Sequence, residues 1–278
     1  HVSPDLDTVT YTLAGAINTE TGWGLAAETW QAHTELAAYD DGRLAWFGLG
    51  DRDLGTHLYR TARLAEGATL SEVTAEIAGR WHVPIRLLPM SDDEVATRVE
   101  LAATGDEIGF QEYFVGLHHD VEVSGIRLAG IDAARAGPDV LGGIASARCL
   151  VICPSNPVLS IAPVLATPGV GEAVAERRND TVAVSPIIAG RALKGPADRI
   201  LAEMGHEPTV VGVARMWAPY ASVLIVDNAD AGLVDAVEAE GMTCVVTPTV
   251  MTGPKEAAAL ARAVLAVRPP PAADPAPR

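Results

Sequence analysis

The chain has 278 residues, 49% of them hydrophobic, with a formal net charge of −16 and a pI near 4.7. That length allows one large α/β domain or two ordinary ones, and no run of about 18 apolar residues exists to span a membrane. So large an acidic excess disfavours a broad nucleic-acid surface, and a polyanionic ligand must be met locally, by cations such as carboxylate-held Mg²⁺ or by backbone amides.

In chain order, the first distinctive segment is the acidic turn Ser3-Pro4-Asp5-Leu6-Asp7-Thr8. If extended, Asp5 and Asp7 project to one face and reach one metal ion or ligand. The plain alternative is that one acid caps a helix carrying Val9–Leu13. Helical stretches follow at about Glu28–Tyr39, Thr56–Glu66 and Leu70–Trp81. Ahead of the second lies Trp46-Phe47-Gly48-Leu49-Gly50-Asp51-Arg52-Asp53. An apolar run that ends in Gly-x-Gly and then charge reads as a buried strand opening into a site loop. An Asp-Arg-Asp triplet also makes surface ion pairs of little worth, but the aromatic pair and the glycines favour a site. His57 is placed on the following helix, with a structural role as its default.

Arg86-Leu87-Leu88-Pro89-Met90-Ser91-Asp92-Asp93 ends another apolar run in small polar and acidic groups, either a site loop or a strand followed by a Ser-Asp turn. Glu107–Val115 and His119–Ile126 are expected as strands of a hairpin or inserted lobe. Beyond them, Leu150–Ile152, Thr181–Val184, Ser222–Val226 and Thr243–Val246 are continuous apolar runs, the pattern of strands buried on both faces of a parallel sheet. Helical stretches Ala192–Glu203, Ala229–Glu240 and Pro254–Val267 alternate with them, the last with Thr252 as N-cap. Two of the strands end in polar-proline loops, Cys153-Pro154-Ser155-Asn156-Pro157 and Ser185-Pro186-Ile187-Ile188, which predicts one crevice at the carboxyl edge of the sheet. Three cysteines argue against a disulfide framework. Cys149 and Cys153, about 13 Å apart along a strand, are expected as buried reduced thiols in a cytoplasmic protein. The proline-rich tail 269–278 is expected to be disordered. Neither a dinucleotide or Walker phosphate loop nor a serine-hydrolase elbow is present in the sequence.

Taken in series, Ser-Pro-Asp-Leu-Asp-Thr, Leu-Gly-Asp-Arg-Asp-x-x-Thr-His, Leu-Pro-Met-Ser-Asp-Asp, Pro-Ser-Asn-Pro-x-x-Ser-Ile-x-Pro and Ser-Pro-Ile-Ile-x-Gly span Ser3 to about Met251. In these the chain resembles the 2-phospho-L-lactate transferase family of coenzyme F-420 biosynthesis. The resemblance implies a Rossmann-like α/β fold, a mostly parallel sheet with flanking helices and a smaller inserted lobe, forming a single transferase domain over 1–268. It implies transfer of a phosphoenolpyruvyl or 2-phospholactyl group from a GDP-activated donor to the deazaflavin Fo, with release of GMP and a requirement for Mg²⁺. Carried over, Asp5 and Asp7 become metal ligands, and Asp7, Asp51 and Arg52 the catalytic group. Ser91, Asp92, Ser155, Asn156, Ser185 and Ile187 join Asp7 and Arg52 at the substrates. The expected partners are these small molecules, with no nucleic acid or membrane, and a homodimer is allowed. One departure stands out: the family opens with a strand, a glycine-rich phosphate loop and a second strand ending in acids. These precede the first matching motif, and roughly one βαβ unit of ~30 residues is expected to be missing. A nucleotide-binding regulator without turnover is therefore the alternative, and a Mg²⁺-dependent phosphatase a third.

Overall fold

The computed structural model describes residues 2–39 and 46–267, so the proline-rich tail lies outside the described residues. The chain divides into two compact units: His1–Ala96 with Gly109–Asp120 and Gly130–Val140, and Thr97–Ile108 with Val121–Ala129 and Leu141–Arg278.

The first unit is built on four helices, α1 (Pro4–Leu13), α2 (Gln31–Tyr39), α3 (Asp51–Ala65) and α4 (Leu70–Arg80). The acidic segment near the start is helix and not extended chain. Pro4 sits in its first turn, and Asp5 and Asp7 follow where carboxylates favour the positive end of the helix dipole. Two positions on a helix differ by about 200° in direction, so Asp7 is buried while Asp5 faces solvent. The Asp51-Arg52-Asp53 segment is likewise the first turn of α3 and not a loop after a strand; within the described part of the preceding run, Trp46–Gly50 is not strand. α4 begins on a reciprocal capping box between Thr69 and Glu72. Gln111-Glu112-Tyr113 enters a π-helix, Glu112–Gly116, where a strand is expected from the sequence.

The second unit carries β1 (Ala96–Leu101), β2 (Glu107–Gly109) and β3 (Val123–Ala129) in a three-stranded sheet of order β2-β1-β3. After α5 (Val140–Ser146) comes β4 (Leu150–Ile152), then α6 (Ala162–Ala166) and α7 (Val170–Glu176). The remainder is β5 (Thr181–Val184), a hairpin of β6 (Ile187–Ile188) and β7 (Arg191–Ala192), α8 (Ala197–Glu203) and α9 (Val210–Trp217). Last come β8 (Val223–Val226), α10 (Val234–Ala239), β9 (Thr243–Val246) and α11 (Pro254–Ala266).

Strands β4, β5, β8 and β9 form a wholly parallel sheet in that order. Alternate residues face opposite sides, as the pleat requires. Ala183, Leu224 and Val226 join a core with Ile200's neighbour Leu201, Val213 and Trp217, while Val182, Val184, Val223 and Ile225 pack against Leu260 and Val264 of α11. Every residue of β5 and β8 is buried, which is why their sequences run apolar without alternation. β4 and β9 sit at the ends of the described sheet and are only partly covered; Val151 is 43% exposed and Cys153 is an exposed free thiol, not a buried one. Other departures are at element ends. The 192–203 stretch turns helical only at Ala197, the 229–240 stretch breaks into a 3-10 turn and α10, and Gly253 rather than Thr252 is the N-cap of α11. Among the described residues no single helix is long and apolar enough to cross a membrane.

Candidate functional site

In the first unit, α3 turns an unusual stripe inward. Asp53, His57 and Arg60 fall at i, i+4 and i+7, the spacing normally filled by apolar core residues. Each is buried, with Arg60 at 1% exposure. Charges there survive only with partners, and α1 supplies them through Asp7 and Tyr11. Arg60 engages Asp7 with both ends of its fork, Nη2 to Oδ1 and Nη1 to Oδ2, the latter at 3.1 Å. Nη1 also lies 3.3 Å from His57 Nδ1. A guanidinium only donates, which assigns the lone pair to Nδ1 and the proton to Nε2. That nitrogen stands 3.3 Å from Asp53 Oδ1, which also accepts from Tyr11 Oη at 2.8 Å. Burial pushes the Asp53 carboxyl up, but hydrogen bonds from His57 and Tyr11, with the charge of Arg60, outweigh it and hold it below its usual value. Burial raises the Tyr11 phenol well above its ordinary range.

The N-termini of α2 and α3 cap one another. Glu28 accepts from the Arg52 and Asp53 amides at 2.8 and 2.9 Å. Asp51 accepts from the Gln31 and Ala32 amides at 3.1 and 3.0 Å and from the Thr29 hydroxyl. The Thr29 bond, then the Ala32 amide, hold the Asp51 carboxyl below its usual value. Gly50 makes this possible: a Cβ there would stand 2.3 Å from Glu28 Cδ. Arg52 is exposed, its Nη1 donating to the Ala26 carbonyl at 2.7 Å. Beside it opens a pocket of about 250 Å³, walled by Trp23 and Trp30, with Glu28, Gly50 and Asp53 among its lining. Asp53 thus belongs both to the buried seam and to the pocket surface.

Asp7, Asp53 and His57 offer ligand atoms within 4.8 Å of one another, the one such group among the described residues. They do not fit a magnesium ion. Arg60 already brings a fixed positive charge to both Asp7 oxygens, and one donor is an imidazole where Mg²⁺ demands oxygens and waters. Asp5 and Asp7, the ligands implied by the resemblance, diverge on α1. Ser91 and Asp92 serve local architecture: the Ser91 hydroxyl accepts from the Asp93 amide at 3.0 Å, and Asp92 accepts from the Ser71 amide of α4 at 2.6 Å.

In the second unit the polar-proline loops follow the neighbouring strands β4 and β5. Asn156 Oδ1 accepts from the Val158 and Leu159 amides, each at 3.0 Å, starting the π-helix Pro157–Ile161. Beside it, the Ser155 amide donates to the Cys153 carbonyl at 2.8 Å. The Ser185 hydroxyl closes a turn, donating to the Ile187 carbonyl and accepting from its amide, while the Ile187 side chain is fully buried in the core. Asp227, which no sequence motif singled out, directly follows β8 and accepts from the Thr249 amide at 2.8 Å and from the Ala229 amide. Those bonds, the Thr249 amide first, hold its carboxyl below the usual range. Its signal was present: an acid directly after the apolar run of a parallel strand. Asp53, His57 and Arg60 share one helix face by their i, i+4, i+7 spacing, but nothing in that spacing tells a buried stripe from a solvated one.

Residues 1–265 match the family described as 2-phospho-L-lactate transferase CofD. The phosphoenolpyruvate transferase of Streptomyces griseus is 48% identical over 270 residues, covering 95% of this chain and 84% of the relative. That of Kitasatospora aureofaciens is 46% identical over 272 residues, 96% of this chain and 84% of the relative. Protein BH3568 of Bacillus halodurans is similar in structure, with a TM-score of 0.56 at 15% identity over 92% of this chain and 82% of its own, a likeness of fold alone.

Proposed function

The chain belongs to the 2-phospho-L-lactate transferase CofD family, and on that premise we propose that it transfers a phosphoenolpyruvyl group from a GDP-activated donor to the terminal ribityl hydroxyl of the deazaflavin Fo. GMP leaves and dehydro coenzyme F-420-0 forms; the 2-phospholactyl donor is the close variant. The observation that carries this reading is the pocket of the first unit. Its tryptophan walls suit a flat heteroaromatic ring, and its Asp53 carboxylate suits a hydroxyl that must lose a proton. The relatives' name, phosphoenolpyruvate transferase, supports the choice of donor.

The reaction is a displacement at phosphorus. The acceptor oxygen bonds to the phosphorus bearing the enolpyruvyl group, the bond to the bridging oxygen breaks, and GMP departs with the electron pair. Asp53, ionised at neutral pH, takes the hydroxyl proton; Tyr11 and His57 fix its orientation through Oδ1. Asp7 acts through Arg60, holding the guanidinium that sets His57. Arg52, adjacent in the chain to the pocket-lining Asp53, is assigned to the acceptor. Within the second unit, Ser155, Asn156, Ser185 and Ile187 are assigned to the guanine nucleotide. A cytoplasmic home is part of the reading, supported by the free thiols of Cys149, Cys153 and Cys244.

The test is incubation with Fo and each GDP-linked donor, followed by mass spectrometry. Coupled product with stoichiometric GMP is expected, faster with the phosphoenolpyruvyl donor; nucleotide binding without product overturns the reading. Magnesium enters the proposal only on the donor side. Chelation is expected to stop turnover and added Mg²⁺ to restore it, and turnover that survives chelation removes the ion.

A further inference from the structure

The hairpin β6–β7 turns on two residues, Ala189 and Gly190, both with positive φ, 49° and 76°. That is the backbone of a tight hairpin turn usually built from Asn-Gly, Asp-Gly or Gly-Gly. Alanine has no local means of favouring the left-handed region, so something else must hold it there. Asp230 does. Its carboxylate is buried, 4% exposed, and both oxygens accept from the Ala189 amide, at 3.1 and 3.0 Å. Asp230 is itself set by the end of β8, since its amide donates to the carbonyl of Asp227, the residue that directly follows that strand. The other end of the same loop is also hung on β8: the Ser185 amide donates to the Ile225 carbonyl at 2.9 Å. The segment Ser185–Gly190 is therefore suspended at two points from the neighbouring strand and its continuation, all within the second unit.

We infer that Asp230 is a positioning residue, whose carboxylate holds the Ala189 amide and thereby places the Ser185–Gly190 loop for the guanine nucleotide. This rests on the reading that assigns that loop to the donor. Asp230 does not touch the nucleotide; it decides where Ser185 and the Ile187 backbone stand. Losing the carboxylate leaves the Ala189 amide without its acceptor and the left-handed alanine without its restraint.

The experiment is calorimetric titration of the full chain with GDP, alongside steady-state kinetics with the GDP-linked donor and a thermal melt of each variant. Asp230→Ala is expected to weaken GDP by about tenfold or more and to raise KM for the donor, with kcat changed far less. Asp230→Asn, which keeps an acceptor oxygen, is expected to bind like wild type. Ala189→Gly introduced into the Asp230→Ala background makes the left-handed turn accessible without the restraint and is expected to recover most of the affinity. Ala189→Val strains the turn from its own side and leaves Asp230 in place, so it carries the test if Asp230→Ala does not fold; it is expected to weaken GDP likewise. A variant series in which melting temperature falls while GDP affinity and KM stay at wild-type values makes Asp230 merely structural and overturns the inference. Absence of GDP binding by wild type overturns the nucleotide reading of the loop itself, and is told apart by needing no variant.

Discussion

At the scale of single residues, Asp7 and Asp53 look alike in sequence and are separated by their partners. Asp53 reaches the pocket and has only hydrogen-bond donors behind it. Asp53→Asn is expected to lower kcat by about 10²–10⁴-fold, the usual worth of a general base, while the protein still melts cooperatively; turnover near wild type removes Asp53 from the chemistry. Asp7 is the counter-charge of a fully buried guanidinium. Asp7→Asn leaves Arg60 uncompensated and is expected to cost about 3–5 kcal/mol in urea unfolding. The Asp53 carboxyl also sets a pH dependence. Its folded value lies below the ordinary 3.8, so its stabilisation is present above that pH and is lost as pH falls through the lower folded value. Melting temperature should decline on acidification from about pH 5 to pH 3, less steeply in Asp53→Asn; equal slopes in the two proteins refute the assignment.

At the scale of elements, the exchange of caps between α2 and α3 ties the pocket wall to the helix that carries the base. Removing Glu28 strips two amides of their acceptor at the start of α3. Glu28→Ala is expected to cost about 1 kcal/mol and to weaken acceptor binding, read by fluorescence titration with Fo. Asp51 performs the mirror task for α2. Asp51→Ala should therefore lower the melting temperature while leaving kcat close to wild type, and a loss of kcat comparable to that of Asp53→Asn restores Asp51 to the chemistry. Gly50→Ala provides a check from the backbone side, since the new Cβ and the Glu28 carboxylate cannot both occupy their positions.

For the whole molecule, the charge of −16 works against an anionic donor. Repulsion of this kind is screened over about 10 Å at 0.1 M salt. kcat/KM for the donor is expected to rise as NaCl is raised from low concentration to about 0.15 M, whereas kcat/KM for a neutral acceptor analogue should not change. A steep fall with salt instead reveals a local basic field that draws the donor in. The parallel sheet resists perturbation differently: Ile225, wholly buried against α11, is expected to cost about 2–5 kcal/mol on truncation to alanine.

The four parallel strands were legible without coordinates, because strands buried on both faces need continuous apolar runs, although the runs before Gly50 and Ser91 carry a similar pattern and, among the described residues, are not strand. Helices 31–39 and 70–80 were legible to within a few residues, whereas α3 begins at Asp51, in the segment expected to be a site loop. What the sequence could not convey was direction. Asp5 and Asp7 share a face only if the chain is extended, and a proline followed by acids stabilises a helix start just as well; the tertiary structure chose the helix and sent the two carboxylates apart. A stripe of Asp53, His57 and Arg60 reads as a solvated face, since local pattern does not reveal what lies opposite. Only the packing of α1 against α3, which sets Asp7 and Tyr11 across from that stripe, turned a surface pattern into a buried ionic seam with one carboxylate left facing a pocket.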